Sequence, residues 1–382
     1  MTTLPMINVF QPSCGEEELA AVQNVFASNW LGKGKKTAQF EKNFFQWLGA
    51  DSGHTLSVNS CTEGLFQLME VLDLQAGDEV ILPTCHFVGT ANAIAARGYR
   101  TVFCDIDERS LNVNAEYLEN KITEKTKAVC ILHYGGVPCD MDDIVSLCKS
   151  RGLYLIEDAA TAVASSYKGR ACGTFGHAGT WSFDAMKILV CGDGGMIYVK
   201  DENLAHKLRQ KMYLGLLSQS GFSNTVDSKW WEFQIDCFGR RTIMNDIASA
   251  IGLVQLNKLP SFIERRGQLH KKYSEMLSKF SWLSIPPHIP DDKKSSFYLY
   301  WIQLHNTEDR DALAIHLRNN KIYTTFRYYP LHHVKLYSQT NISLPNAEVA
   351  SLKTLCLPLH QSMTFEDVER ICAQIYAFKG SY

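Results

Sequence analysis

Glu79-Val80-Ile81-Leu82-Pro83, the helical stretch Val88–Ala96 and Thr101-Val102-Phe103-Cys104-Asp105 follow one another directly, and their reading decides the fold. Two short, continuously apolar runs flanking a helical pattern read as a strand–helix–strand unit of a parallel sheet, because such strands need cover on both faces. The rhythm continues in both directions. Apolar runs at Thr55–Asn59, Ala128–His133 and Leu153–Glu157 alternate with helical patterns at Glu63–Leu72, Ala115–Lys121 and Met141–Lys149. Two more strands are predicted at Thr180–Phe183 and Met196–Lys200, on either side of Gly192-Asp193-Gly194-Gly195. Ser60, Thr62, His86, His133 and Asp158 fall just after strand carboxyl ends, the edge at which open α/β sheets bind ligands.

Outside this unit, Glu16–Ser28 has apolar residues at helical spacing. The Gly/Lys loop Trp30–Lys36 follows, and then a helix through Phe40, Phe44 and Leu48 that Thr37 is placed to cap. After Asn245 one helical pattern reaches Pro260, and a second runs through Phe262, Leu269, Tyr273 and Met276. Beyond the Pro-rich stretch 285–290, the pattern changes to a strand (Phe297–Leu304), a helix (Glu308–Asn319) and a strand (Lys321–Tyr329). A last helix, Phe365–Phe378, opens on the capping-box sequence Thr364–Asp367. The chain is therefore divided into a large α/β domain, 1–258, and a small α+β domain, 259–382.

Composition narrows the function classes. With 382 residues, 46% of them hydrophobic, the chain has room for two or three domains at ~100–200 residues each and is too apolar to be disordered. Lys plus Arg number 38 and Asp plus Glu 40, a net charge of −2, so bulk binding to nucleic acid or an acidic membrane is not expected. No segment approaches the ~18 apolar residues of a membrane helix, and Met1–Phe10 lacks the marks of a secretory signal. The 12 cysteines are scattered without a CxxC pair, as in a cytoplasmic protein with reduced thiols. His133, His332 and His333 show no metal-ligand spacing, so no metal is expected.

Four local features carry chemistry. Val58–Leu65 runs from a strand end into a helix start, where free N–H groups favour a phosphate, although helix capping alone explains Ser60 and Thr62. In Leu155-Ile156-Glu157-Asp158-Ala159-Ala160 a carboxylate follows a buried strand; it is either a solvated loop carboxylate or the partner of a cation such as a protonated heterocyclic nitrogen. Lys187, in Trp181-Ser182-Phe183-Asp184-Ala185-Met186-Lys187, is isolated among apolar residues; it either snorkels to solvent or, in a dry site, has a lowered pKa and forms a Schiff base. Gly192–Gly195 allows close backbone approach.

In this order and spacing, the features resemble the DegT/StrS family of sugar-nucleotide aminotransferases, fold-type I enzymes that use pyridoxal 5′-phosphate. The most specific matches are Glu157–Ala160, the run from Ser182 through Lys187 to Gly195, and Tyr167-Lys168-Gly169-Arg170 with Gly173-Thr174. The resemblance implies a mainly parallel seven-stranded sheet sandwiched by helices, with a small C-terminal α+β domain. It places Lys187 on the Schiff-base lysine, Asp158 on the partner of the pyridinium nitrogen, and Phe87 on the aromatic that stacks on the ring. Cys61, Thr62 and Ser182 fall on phosphate-binding positions. Thr161 stands where the family usually has Gln reaching toward the cofactor, and Arg241 where it commonly has Asn reaching the phosphate from the partner subunit.

The same resemblance implies L-glutamate as amino donor, a nucleotide-linked ketosugar as acceptor (a 4-keto-6-deoxyhexose is favoured), and a homodimer with shared active sites. Retention of lysine at 187 favours transamination over the family's histidine-bearing dehydratase branch. Arg327 and His332 lie in the small-domain motif around the sugar site, and Lys33, with Lys35, is placed to meet the nucleotide diphosphate. Trp230 and Trp231 are candidates for an interface or active-site loop, with core packing the equal alternative. A non-sugar ketone such as a cyclitol, and a non-catalytic sensor or scaffold on the same fold, are the competing readings.

Overall fold

The computed structural model describes residues 5–216, 235–337 and 342–379; Trp230 and Trp231 lie outside them. Helices α1 (Glu16–Ala27) and α2 (Lys35–Leu48) precede the sheet. Then β1 (His54–Val58), α3 (Cys61–Val71), β2 (Glu79–Pro83), α4 (Val88–Ala95), β3 (Arg100–Cys104), α5 (Ala115–Glu119), β4 (Thr126–Leu132), α6 (Met141–Arg151) and β5 (Tyr154–Asp158) alternate as the apolar runs predict. The hairpin β6 (Ser166–Tyr167) and β7 (Arg170–Ala171), strands β8 (Ala178–Ser182) and β9 (Gly195–Val199), and α7 (Glu202–Lys211) follow. The remaining elements are α8 (Asp246–Leu277), β10 (Leu283–Ser284), β11 (Lys293–Lys294), β12 (Tyr300–Leu304), α9 (Thr307–Asn319), α10 (Pro345–Lys353), β13 (Thr354–Leu357) and α11 (Phe365–Lys379).

The main sheet has seven strands in the order β1-β9-β8-β5-β4-β2-β3. Only β9 runs against its neighbours, so β1, β2, β4, β5 and β8 all end on one edge. Its strands are covered on both faces: Val80, Ile81, Leu82, Val129, Cys130 and Ile156 are fully buried, which is why their sequence reads as unbroken apolar runs rather than alternation. A second, antiparallel sheet, β10-β12-β13, packs with α9, α11 and the distal part of α8 around its own core of Leu269, Tyr273, Ile302, Leu313 and Ile371.

Three local expectations are corrected. First, α8 is one helix of 32 residues that runs through Pro260; the proline sits on its exposed side, where the ring displaces no core side chain. Second, α2 starts on Gly34, not Thr37. Asp246, at the start of α8, accepts from the N–H groups of Gly34, Lys36 and Thr37 and from the Thr37 hydroxyl, so the cap comes from a distant segment. Third, 321–329 forms no strand: Ile322 bridges Ile7, Thr325 bridges Cys356, and the rest is irregular. The capping box of α11 forms as expected, with Asp367 accepting from Thr364 N–H and Thr364 Oγ1 from Asp367 N–H.

One buried cation ties the two cores together. Arg266, on α8 and 2% exposed, donates to the carbonyls of Phe297, Tyr298 and Leu359 and to Gln361 Oε1. Burial pulls its pKa down to about 10.

Candidate active site

Alternation along β5 separates two adjacent carboxylates. Glu157, fully buried, accepts from His133 Nε2 (3.1 Å), Gly173 N (2.7 Å) and Gly176 N (2.6 Å), which fixes the loop between β7 and β8. Asp158 ends the strand and is 2% exposed. It accepts from Ala160 N at 2.9 Å, and its Oδ2 lies 3.7 Å from His86 Nε2. His86 and Phe87 follow β2 on the same edge, and Phe87 leaves much of its ring exposed.

Lys187 lies in the loop between β8 and β9. That loop is pinned by Cys191 N to Phe183 O, Phe183 N to Gly194 O, and Lys187 N to Asp184 O. The lysine Nζ stands 5.1 Å from the centre of the Tyr298 ring. Burial alone favours the neutral amine, yet Tyr298, Tyr328, the Asp158 carboxylate and Cys61 outweigh it and hold the Lys187 pKa above its ordinary value. Of these neighbours Asp158 is the anion, and its charge opposes the lowering that burial alone would bring.

Tyr298 arrives from the far side of the chain. Its N–H and that of Leu299 bond the Gly135 carbonyl, and Ser296 N bonds that of Gly136. Gly136 has φ +86°, and a Cβ there would collide with Ser296 Oγ, so glycine permits the crossing.

The amino end of α3 completes the edge. Ser60 caps it by accepting from Glu63 N at 3.1 Å, and Gly64 N returns to Ser60 O. The N–H groups of Cys61 and Thr62 have no acceptor among the described residues, as the first turn of a helix requires of something. Gly195 packs against this turn; a Cβ on it would stand 2.7 Å from Cys61 N. Ser182, at the end of β8, is beside it through the Ser182–Gly195 pairing. Burial, with Asp158 second, pushes the Cys61 thiol up to about 12, so it stays protonated.

A family model, the DegT/DnrJ/EryC1/StrS aminotransferase family, matches residues 12–376. The chain belongs to this family. The aminotransferase is 48% identical over 367 residues to the dTDP-4-dehydro-2,3,6-trideoxy-D-glucose 4-aminotransferase of Saccharopolyspora spinosa, covering 96% of this chain and 95% of that protein. It superposes on the crystal structure of the aminotransferase TlmJ of Streptoalloteichus hindustanus with a TM-score of 0.93 at 49% identity, covering 98% of this chain and 99% of that one. A sugar aminotransferase of Streptococcus pneumoniae described as putative, Spr1654, superposes in its PLP form with a TM-score of 0.90 at 25% identity, over 98% of this chain and 99% of that one.

The remaining expected site residues of the aminotransferase divide into those that reach the cluster and those that do not. Arg327 reaches it: the guanidinium covers the Phe10 ring at 4.4 Å, bonds Met186 Sδ, and lies 5.9 Å from the Tyr328 ring. Tyr328 in turn meets Phe87 edge-to-face at 6.1 Å. Thr161 is buried and donates its hydroxyl to His133 O at 2.6 Å, which ties two loops together below the edge. His332 is also turned away. Its Nδ1 meets Thr84 Oγ1 at 2.6 Å and its Nε2 meets Glu348 Oε1 at 3.3 Å, so both ring nitrogens are engaged in bracing the loop after β2. His332, His333 and Glu348 bring ligand atoms within 4.8 Å of one another, a grouping that spacing had not revealed. Lys33 pairs with Glu41 at 3.3 Å and lines a recess with Arg209, Tyr213 and Ile243. Arg241 is exposed and lies over the Tyr213 ring at 5.5 Å, with no contact to the Lys187 cluster among the described residues.

Sequence reasoning missed Tyr298 and Tyr328, and saw His86 only as a polar strand-end residue. For the tyrosines there is no local signal, since 16 of them occur in the chain and their role arises from contacts more than 100 positions away. All 12 cysteines are free. No helix among the described residues is long and apolar enough to cross a membrane.

Proposed function

We propose that this aminotransferase moves an amino group from L-glutamate to a nucleotide-linked 4-keto-6-deoxyhexose, with pyridoxal 5′-phosphate as cofactor, as a cytoplasmic homodimer whose subunits share active sites. The observation that carries the reading is the convergence of Asp158, Lys187 and the open N–H groups of Cys61 and Thr62 on one sheet edge. The Saccharopolyspora relative, whose name specifies a 4-dehydro sugar carried on dTDP, supports the substrate class.

The residues present fit the cofactor. A helix start with two unbonded N–H groups, beside the Ser182 hydroxyl, suits a phosphate. Asp158 offers a buried anion for a ring nitrogen, Lys187 an amine, and Phe87 an exposed ring face. Pyridoxal 5′-phosphate, when bound, supplies an electron sink for charge released at a substrate carbon. Asp158 holds a proton at the ring nitrogen through its opposite charge. Lys187 Nζ, as the neutral amine, would take a proton from the substrate carbon and return it during the transfer. Tyr298 and Tyr328 wall that amine and exclude water. Arg327, whose planar fork matches carboxylates and phosphates, orients the donor carboxylate or the diphosphate. Arg241 is assigned to the phosphate held by the partner subunit, and Lys33, with Arg209 in the same recess, to the nucleotide diphosphate. His332 and Thr161 brace the loops that carry this constellation.

The test is a panel of nucleotide-linked ketosugars incubated with glutamate and followed by mass spectrometry. The expected result is an amine in place of the carbonyl for a 4-keto-6-deoxy sugar, with 2-oxoglutarate formed in equal amount. Amination of a cyclitol ketone, and of no nucleotide sugar, would overturn the substrate class.

A further inference from the structure

The imidazole of His86 is enclosed completely, with 0% side-chain exposure, and its Nε2 has no hydrogen-bond partner although it faces Asp158 Oδ2 at 3.7 Å. A buried polar atom without a partner needs an explanation. The other nitrogen, Nδ1, lies 3.3 Å from the Phe87 carbonyl. A neutral imidazole has one proton for these two oxygens, and which nitrogen carries it depends on the acceptors. The Phe87 carbonyl already accepts from Thr90 N, so it does not need His86. Asp158 presents a carboxylate, and a bare Nε2 lone pair pointed at that anion would be repelled, whereas an Nε2–H makes a charge-assisted bond once the gap closes by about 0.8 Å. Burial, only partly opposed by Asp158, keeps His86 below its ordinary pKa and therefore neutral in the working range.

We propose that His86 is a positioning residue: its Nε2–H donates to Asp158 Oδ2 and holds that carboxylate ionised and aimed at the cofactor's ring nitrogen. The inference rests on the assignment of Asp158 above. The other titratable groups that act on Asp158 or are acted on by it are Cys61 at the start of α3, Cys130 on β4, Lys187 after β8 and Tyr328 beside Phe87. Both thiols and the phenol are pushed upward by burial, and Lys187 is held upward by its neighbours, so none changes charge in the acid range. A hydrogen bond to the charged form of that carboxylate favours it, so removal of the imidazole should be read in the acid limb of the rate profile.

The experiment uses the holoenzyme variants His86→Leu and His86→Gln, with Asp158→Asn as reference, together with ¹⁵N-histidine-labelled protein free of cofactor. In His86→Leu the acid limb of kcat should move up by about one pH unit and kcat fall about tenfold, with the glutamate KM within twofold. His86→Gln, whose amide reaches the same place, should restore the limb. In the labelled protein, His86 should carry its proton on Nε2. A bare Nε2, or an acid limb in His86→Leu that coincides with wild type while Asp158→Asn is impaired, overturns the role of His86 and leaves that of Asp158 standing. An Asp158→Asn enzyme with normal turnover and a normal cofactor absorbance band overturns both.

Discussion

Lys187 Nζ stands 5.1 Å over the centre of the Tyr298 ring, and Tyr298 is held there by the Gly135 carbonyl on one side of the chain and Arg266 on the other. The amine thus has a fixed wall behind it and the Asp158 carboxylate within electrostatic reach.

Lys187→Ala should keep affinity for pyridoxal 5′-phosphate, since the phosphate and ring sites are untouched, but lose turnover by at least about 10³-fold, the upper part of what a positioned proton carrier contributes. Borohydride reduction of the wild-type holoenzyme followed by peptide mapping should label the peptide containing Lys187. A label on any other lysine rules out its role.

Arg327→Lys should behave as a severe change, not a conservative one. Lysine retains the charge but not the planar fork, nor the stacking on Phe10. The KM for one substrate is expected to rise about 10- to 100-fold, equivalent to ~1.4–2.8 kcal/mol, while kcat changes less. Separate titrations of glutamate and ketosugar identify which one Arg327 holds, and unchanged KM values for both would remove it from the site.

Glu157→Ala should destabilise the fold by about 3–5 kcal/mol, because it leaves a buried histidine and two buried N–H groups without their acceptor. Urea midpoints of the variant and wild type check this. A difference under ~1 kcal/mol would mean that the loop between β7 and β8 finds other partners.

Acid should weaken the fold through His360, which is buried, and His270, which is half-buried. Burial lowers His270 to about 4, and burial with nearby Arg266 lowers His360 to about 4. Between pH ~6.5 and 4 the unfolded chain binds a proton at each site that the folded chain does not, so stability rises with pH across that window and falls as pH drops. His270→Phe should flatten the dependence of Tm on pH from 4 to 7. An identical slope would exclude His270 as its source.

The sheet and the chemistry were legible in the sequence for different reasons. Strands covered on both faces must be continuously apolar, so Val80–Leu82 and Val129–Ile131 declare themselves, and a carboxylate and a lysine at the ends of such runs stand out. Contacts made across the chain leave no such mark. Asp246 caps α2 from more than 200 positions away, which is why Thr37 looked like the cap. Pro260 reads as a stop, yet packing along the whole of α8 carries the helix past it. His332 and Thr161 sit within motif-like stretches, but their polar atoms are occupied by Thr84, Glu348 and His133, and only three dimensions reveal such engagement.

The clasp of Arg266 on Phe297, Tyr298, Leu359 and Gln361 anchors the backbone that carries the Tyr298 ring behind Lys187: shifting it would strand a guanidinium away from both water and acceptors. The side chains beside the cluster that face solvent are those of Phe87, Met186 and Tyr329, so on the proposed function it is these that an arriving substrate meets first.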